Sequence, residues 1–213
     1  MKIGVLIITK GDRPKFLEHA KYLISEQTLQ PDVIEVVDEE TNLAIDITYR
    51  YRVGCKRLVK KGCDLIIFWE DDDFYKFNYI QTMLSEFINN GRPDIIGIEK
   101  TIYYHIGINK YSELKHVGRA SAFSTAVSKN IVNIDFGNDN EAFFDLHLWK
   151  QQQLKKHLFT PVNPICLGIK HGIGSCGGKG HLISFPYKNE DKDLSYLKSI
   201  VDNKSFEFYT TIK

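Results

Sequence analysis

Three adjacent carboxylates, Asp71-Asp72-Asp73, follow the apolar run Leu65-Ile-Ile-Phe-Trp69, with Glu70 between them. Like charges packed this closely repel, so something must offset them. A hard divalent cation does so through oxygen ligands and leaves positions open for phosphate oxygens. In an extended segment alternate residues point the same way. Asp71 and Asp73 would then converge on the cation while Asp72 faces elsewhere. An isolated acidic triplet more often caps the next helix. Here its place at the end of a buried strand, on one rim with two other polar clusters, favours the ligand role.

A second segment with chemical potential is His171-Gly-Ile-Gly-Ser-Cys-Gly-Gly-Lys-Gly-His181. Its glycines let backbone amides approach an anionic ligand, and Lys170 and Lys179 add positive charge. A flexible surface turn is the plainer account, but two His and two Lys among the glycines is an unusual composition for one. Cys166, His171, Cys176 and His181 also recur at every fifth residue, a set that could hold zinc, although structural zinc sites usually pair ligands at tighter knuckles.

These groups need a scaffold. Ile3 to Thr9 is a β-branched run typical of a strand buried on both faces, broken by Lys10-Gly-Asp-Arg-Pro14. Phe16 to Gln27 keeps helical spacing, and Val33 to Val37 is a second strand ending in Asp38-Glu-Glu. Ile45 to Lys61 is a basic helix with Arg50, Arg52, Lys56 and Arg57. Asp64 to Trp69 is a third strand, Tyr75 to Asn89 a helix and Ile95 to Glu99 a fourth strand. The alternation predicts an α/β fold with a mostly parallel sheet flanked by helices. Ligands bind at the carboxyl ends of such strands, so all three polar clusters face one rim. The second half is less regular: strands are expected at Tyr103 to Ile108 and Ser121 to Val127, and a helix over Glu141 to Lys156. Another helix is expected from Asp191 to Val201, with a strand after it.

The stretch from Leu65 to Tyr75 resembles the DXD region of GT-A glycosyltransferases, especially the family-2 group. The order of elements around it agrees over about the first half of the chain. The resemblance implies a GT-A (Rossmann-like) fold as one domain over 1–213. Residues 1–100 would form a nucleotide-binding half and 101–213 a smaller mixed acceptor-binding half with the glycine-rich loop. It implies Mn²⁺ or Mg²⁺ on the donor diphosphate, held by Asp71 and Asp73 with His171 as a further ligand. Thr9, Asp12 and Asp38 would surround the base and ribose. Arg13, Arg52, Asp71, Asp72 and Lys179 would complete the donor-binding set. The expected donor is a nucleotide-sugar, a UDP-sugar first. Glycan, lipid-linked sugar, protein and modified nucleobase stay open as acceptors. An inverting transfer needs a base to deprotonate the acceptor hydroxyl, and the corresponding region offers Asp139, Glu141 and Asp145. Glu141 is favoured because it begins the expected helix.

The rival enzyme is a nucleotidyltransferase, which would carry a richer glycine and Arg/Lys loop after the first strand. The non-enzymatic rival is a zinc-bearing interaction module. Across 213 residues, 28 basic and 27 acidic side chains nearly cancel, so bulk charge favours neither nucleic acid nor an anionic membrane. The opening apolar run is too short for a signal-peptide core and no stretch approaches a membrane span. A cytoplasmic protein, or one that meets membranes only at their surface, is expected, with its cysteines reduced.

Overall fold

The computed structural model describes residues 1–172 and 185–212. The first half follows the expected alternation: β1 (Ile3–Ile8), α1 (Pro14–Ser25), β2 (Val33–Val37), α2 (Ile47–Lys60), β3 (Leu65–Glu70), β4 (Phe74–Tyr75), α3 (Tyr79–Asn89) and β5 (Ile95–Ile98). Then come β6 (Lys100–His105), β7 (Lys110–Lys115), β8 (Thr125–Ser128), α4 (Phe144–Lys150), β9 (Lys156–Phe159), β10 (Cys166–Lys170), β11 (Asn189–Glu190), α5 (Ser195–Ile200) and α6 (Asn203–Thr211).

Two sheets result. The first has the order β2-β1-β3-β8-β5-β9. Its strands are parallel except β8, which runs against both β3 and β5. The second, β11-β7-β6-β10-β4, is mixed. The chain passes from the first sheet to the second through residues 71–73, because β3 belongs to one and β4 pairs with β10 in the other. The acidic triplet is therefore the hinge between sheets.

Apolar side chains cover both faces of the first sheet. Ile3, Val5, Ile7, Ile67 and Trp69 share a cluster with Leu167, Ile169 and Tyr104 of the second sheet and with Tyr209 of α6. On the other face Leu6, Ile66 and Phe68 pack on Tyr51, Cys55 and Leu58 of α2 and on Phe144 and Leu148 of α4. Gly54 permits the α2 approach: a Cβ there would lie 2.2 Å from Leu6 Cδ1. Cys55, Cys63 and Cys166 are free and buried. No helix among the described residues is long and apolar enough to cross a membrane.

Several expectations are corrected. The helix foreseen from Tyr75 starts at Tyr79, since Phe74 and Tyr75 pair with Leu167 and Cys166. The long helix over Glu141 to Lys156 is only Phe144–Lys150. Lys156–Phe159 instead pairs with Ile95–Ile98 as an edge strand. The strand foreseen from Ser121 begins at Thr125, after a 3₁₀ turn at Ala122–Ser124. The strand foreseen in the tail is α6, whose first turn is capped by Asp202 accepting from the Ser205 amide at 2.9 Å.

Candidate active site

From β1 the chain crosses to β2 on one side and to β3 on the other, so the sheet order reverses between β1 and β3. Open α/β sheets bind ligands at such a switch point, beyond the carboxyl ends of the strands. The β1–α1 loop and the acidic turn meet there. Arg13 spans the turn, donating from Nη2 to Asp71 Oδ1 and from Nη1 to Asp72 Oδ2, each at 2.6 Å. His171, just past β10, lies with Nε2 2.9 Å from Asp72 Oδ2 and 3.1 Å from Arg13 Nη1. That nitrogen can donate to Asp72 or accept from Arg13, not both. Its ring packs on Phe16 at 4.6 Å between centroids.

The alternation expected of Asp71 and Asp73 is not what the backbone adopts. Residues 71–73 form a turn, not an extended segment. Asp71 and Asp72 share Arg13, while Asp73 points into the core, is fully buried and accepts from the Ile169 amide at 2.7 Å. Lys170 Nζ stands 3.9 Å from Asp73 Oδ1. Among the described residues, one carboxylate oxygen from each of Glu70, Asp72 and Asp73 lies within 4.8 Å of the others.

Burial dominates the electrostatics here. It pushes Asp71 up to about 7, with the charge of Asp72 adding and Arg13 opposing. Glu70 is likewise pushed up to about 7 by burial, against the pull of Lys170. Asp73 is raised well above the ordinary carboxylate range by burial, which Lys170 only partly offsets. Burial works on Asp72 too, yet the His171 hydrogen bond and the charges of Arg13 and Lys170 hold it below that range. Four carboxylates thus face two permanent cations. Asp71 Oδ2 and Asp73 Oδ2 are buried without a hydrogen-bond partner. The surplus of negative charge and the unpartnered oxygen of Asp71 beside the cavity suit a divalent cation.

A cavity of about 400 Å³ opens on this turn and draws its walls from both halves of the chain. Thr9, Lys10, Asp12, Arg13, Asp46, Arg50, Glu70, Asp71 and Asp72 line it from the first. Arg50 donates to the Val37 and Glu39 carbonyls, each at 2.9 Å, and to Asp46 Oδ2 at 2.8 Å. Arg50 Nε and Asp46 Oδ1 are both buried and have no hydrogen-bond partner. The second half contributes Tyr103, His116, Arg119, Ser121, Phe123, Phe143, Asp145, Lys170 and Phe185, among others. Asp145, in the first turn of α4, accepts from Arg119 Nη1 at 3.1 Å. Burial raises it above the ordinary carboxylate range, with Arg119 opposing.

Of the residues nominated from sequence, Thr9, Asp12, Arg13, Asp71, Asp72 and Asp145 line the cavity. His171 meets Asp72, and Asp73 sits behind the turn. Asp38 is exposed and outside the cavity lining. Arg52 is engaged elsewhere: its Nε donates to Asp139 Oδ1 at 2.9 Å. Two nominees therefore bind each other instead of a ligand. Glu141 is exposed, precedes α4 and does not line the cavity, because the helix begins three residues later than expected, at Phe144. Lys179, and with it Cys176 and His181 of the zinc reading, lies outside the described residues. Sequence reasoning passed over Asp46, Arg119, Tyr103, Ser121 and His116. Only the Asp46–Arg50 spacing, an i,i+4 pair at the start of a helix, carried a local signal.

The fold is a six-stranded, mostly parallel sheet flanked by helices with a second mixed sheet, an architecture that matches GT-A-like glycosyltransferases. Among solved structures, the chain is similar to S. aureus TarS 1–349 in complex with UDP-GlcNAc. The TM-score is 0.61 at 13% identity, over 83% of this chain and 60% of that one. It is similar also to TarS 1–349 in complex with UDP, with TM-score 0.58, 12% identity, and 79% and 60% covered. A third likeness is to a glycosyltransferase involved in the glycosylation of the major capsid of PBCV-1. There the TM-score is 0.51 at 8% identity, over 79% of this chain and 92% of that one. The chain thus spans less than two thirds of TarS 1–349, and at these identities the likeness is one of fold. No protein-family model and no curated protein matches the sequence.

Proposed function

We propose that the protein is a glycosyltransferase that moves a sugar from a nucleotide-sugar, a UDP-sugar first, to an acceptor hydroxyl, with inversion and with Mn²⁺ or Mg²⁺. The observation that carries the reading is the shared cavity at the switch point. It joins the acidic turn and its cations to a buried carboxylate, Asp145, from the other half of the chain. The fold likeness to TarS, seen with UDP-GlcNAc and UDP, supports the choice of donor.

In this reading Asp71 and Asp72, with His171 beside them, would hold the cation, and Asp73 supports the turn from the core side. A cation held there would supply positive charge against the departing diphosphate. Arg13 and Lys10, both in the cavity wall, add to that field and hold the phosphates in line. The base lies farther along the rim, toward β2. There Asp46 and Arg50 line the cavity and offer polar groups to a nucleobase. Asp145 takes the proton of the acceptor hydroxyl. Burial raises its affinity for protons, as a base requires, and Arg119 fixes its orientation. The test is a donor screen. Purified protein is incubated with UDP-, GDP- and CMP-sugars, with and without Mn²⁺, and release of nucleoside diphosphate or monophosphate is followed. Metal-stimulated release from a UDP-sugar is expected. Release of pyrophosphate from nucleoside triphosphate and sugar phosphate would replace this reading with a nucleotidyltransferase.

A further inference from the structure

Arg13, which clamps Asp71 and Asp72, leans on a ring of the helix it opens. Its guanidinium carbon lies over Phe16, 5.4 Å from the ring centroid. Phe16 stands in the first turn of α1, where its amide donates to the Arg13 carbonyl at 3.0 Å. The side chain is buried and also packs on His171, at 4.6 Å between centroids. Arg13 and His171, which both reach Asp72, therefore rest against one phenyl ring.

That ring is held by a helix from the other half of the chain. Phe208 of α6 meets Phe16 edge-on, at 5.5 Å and 89°, and stacks on His19 at 4.1 Å and 14°. Phe16 and His19 are one turn apart on α1 and share a face, so Phe208 seats on both. The helix is fixed there in turn. Tyr209 is fully buried in the same core cluster as Trp69 and Phe74, and Lys204 Nζ lies 3.6 Å from the Tyr22 ring centroid. An arginine that spans two carboxylates gives up the freedom of a long side chain. A ring that receives the guanidinium beforehand lowers that cost, and adds the attraction between a cation and a π face. An aliphatic side chain of similar size would fill the space without supplying that attraction.

We infer that Phe16 is a positioning residue that sets Arg13 across Asp71 and Asp72, and that α6 keeps Phe16 in place through Phe208. This rests on the transferase reading above, in which Arg13 holds the donor phosphates. It extends that site to a helix absent from the cavity lining.

The test uses the full chain and titrates UDP in the presence of Mn²⁺. Phe16→Leu, which keeps an apolar side chain but not the π face, should weaken UDP binding about fivefold, the size of a partly buried cation–π contribution. Phe208→Ala should weaken it by a smaller factor, and Phe208→Tyr, which keeps the ring, should match the wild type. Each substitution is then repeated in an Arg13→Gln background, where neither Phe16→Leu nor Phe208→Ala should cost anything further, because both act through the guanidinium. Equal losses in the two backgrounds would mean that the ring only packs, which overturns the inference and leaves the donor reading standing. If Phe16→Leu unfolds too readily to titrate, Phe208→Ala carries the same cycle. A second readout needs no nucleotide. The NMR signal of the Arg13 Nε–H group, displaced by the ring current of Phe16, should move in Phe16→Leu and in Phe208→Ala. An unmoved signal overturns the inference. A protein that takes up no UDP, yet whose Arg13 signal answers to both substitutions, would keep the positioning of Arg13 and discard the transferase reading.

Discussion

The two walls of the cavity are built on opposite plans. The wall from residues 1–100 is crowded with charge: Arg13 clamps two aspartates, Arg50 is locked to Asp46, and Glu70 to Asp73 follow one another in the chain. The wall from residues 103–145 is aromatic and mostly neutral, its charge confined to the Arg119–Asp145 pair. Charge on the first wall comes from loops at adjacent strand ends, so its residues are neighbours in sequence. The second wall is assembled from a strand, a 3₁₀ turn and the start of a short helix, so its residues are scattered. One wall suits a diphosphate, which is bound by field. The other suits a ligand recognised by shape and hydroxyl direction.

If that division holds, the largest effect comes from Asp145, the carboxylate of the second wall. Asp145→Asn is expected to lower turnover by about 10²–10⁴-fold, the usual worth of a general base, while UDP affinity changes little. Steady-state rates and UDP titration on the same preparation check this. Glu141→Gln and Asp139→Asn are the contrast, because both residues stand outside the cavity lining. Should Glu141→Gln show the large loss instead, the base belongs to the loop before α4.

That contrast also explains what could be read in the sequence. Four of the five strands and the three helices of the first half announce themselves through β-branched runs and helical spacing, and the polar ends of the first three strands fall on one rim by topology alone. Choosing Asp145 over Glu141 required knowing that α4 begins at Phe144, and no capping residue marks that start: Phe143 occupies the N-cap. β4 is two residues long and exists only through its pairing with β10, so no local pattern predicts it. In the tail, Phe206-Glu207-Phe208 mimics the alternation of a strand. The Asp202 cap and the buried Ser205 and Tyr209, four apart, mark the helix that forms. The meeting of Tyr103, Ser121 and His116, with Ser121 Oγ 2.6 Å from the Tyr103 hydroxyl and 2.9 Å from His116 Nε2, is purely tertiary.

Within the first wall, Asp73 and Asp71 should separate stability from binding. Asp73→Ala removes the acceptor of the Ile169 amide inside the core and is expected to cost about 1–3 kcal/mol, the penalty for a buried group left unpaired. Asp71→Asn, at the cavity face, should leave the melting temperature nearly unchanged but abolish metal-dependent nucleotide binding. Thermal melts and Mn²⁺-dependent UDP titrations of the two variants, compared directly, decide it. Equal melting temperatures would mean that Asp73 is not the structural member of the pair.

The same burial predicts how the site responds to pH. Burial pushes both Asp71 and Glu70 up to about 7. Below that value a proton occupies a carboxylate that the cation needs, and above it the competition disappears. Mn²⁺ affinity should therefore fall by about tenfold for each pH unit below 7 if one proton is displaced, and level off above 8. Calorimetry in buffers of different ionisation enthalpy counts the released protons. An affinity flat between pH 5.5 and 8 would show that neither carboxylate takes part.

The smallest expected effect tests the seam between the walls. Arg52 of α2 and Asp139 of the loop before α4 form a part-exposed pair, with Arg52 Nε 2.9 Å from Asp139 Oδ1. Thr48 reinforces the seam by donating to the Glu141 carbonyl at 2.7 Å, and the Ile45 amide donates to Asn140 at 2.9 Å. Exposed pairs of this kind contribute about 0.2–1 kcal/mol, and salt weakens them. If Arg52 serves only as a clasp, Arg52→Ala and Asp139→Ala should each cost that amount, and the double variant should cost no more than either one. Both should raise the acceptor KM modestly through the loop that carries Phe143 and Asp145, with UDP affinity untouched. If Arg52 instead reaches the donor, Arg52→Ala alone would weaken UDP binding, and Asp139→Ala would tighten it by releasing the guanidinium. A double-mutant cycle on melting temperature, run beside UDP titrations of the same proteins, separates the two outcomes because they differ in sign at Asp139.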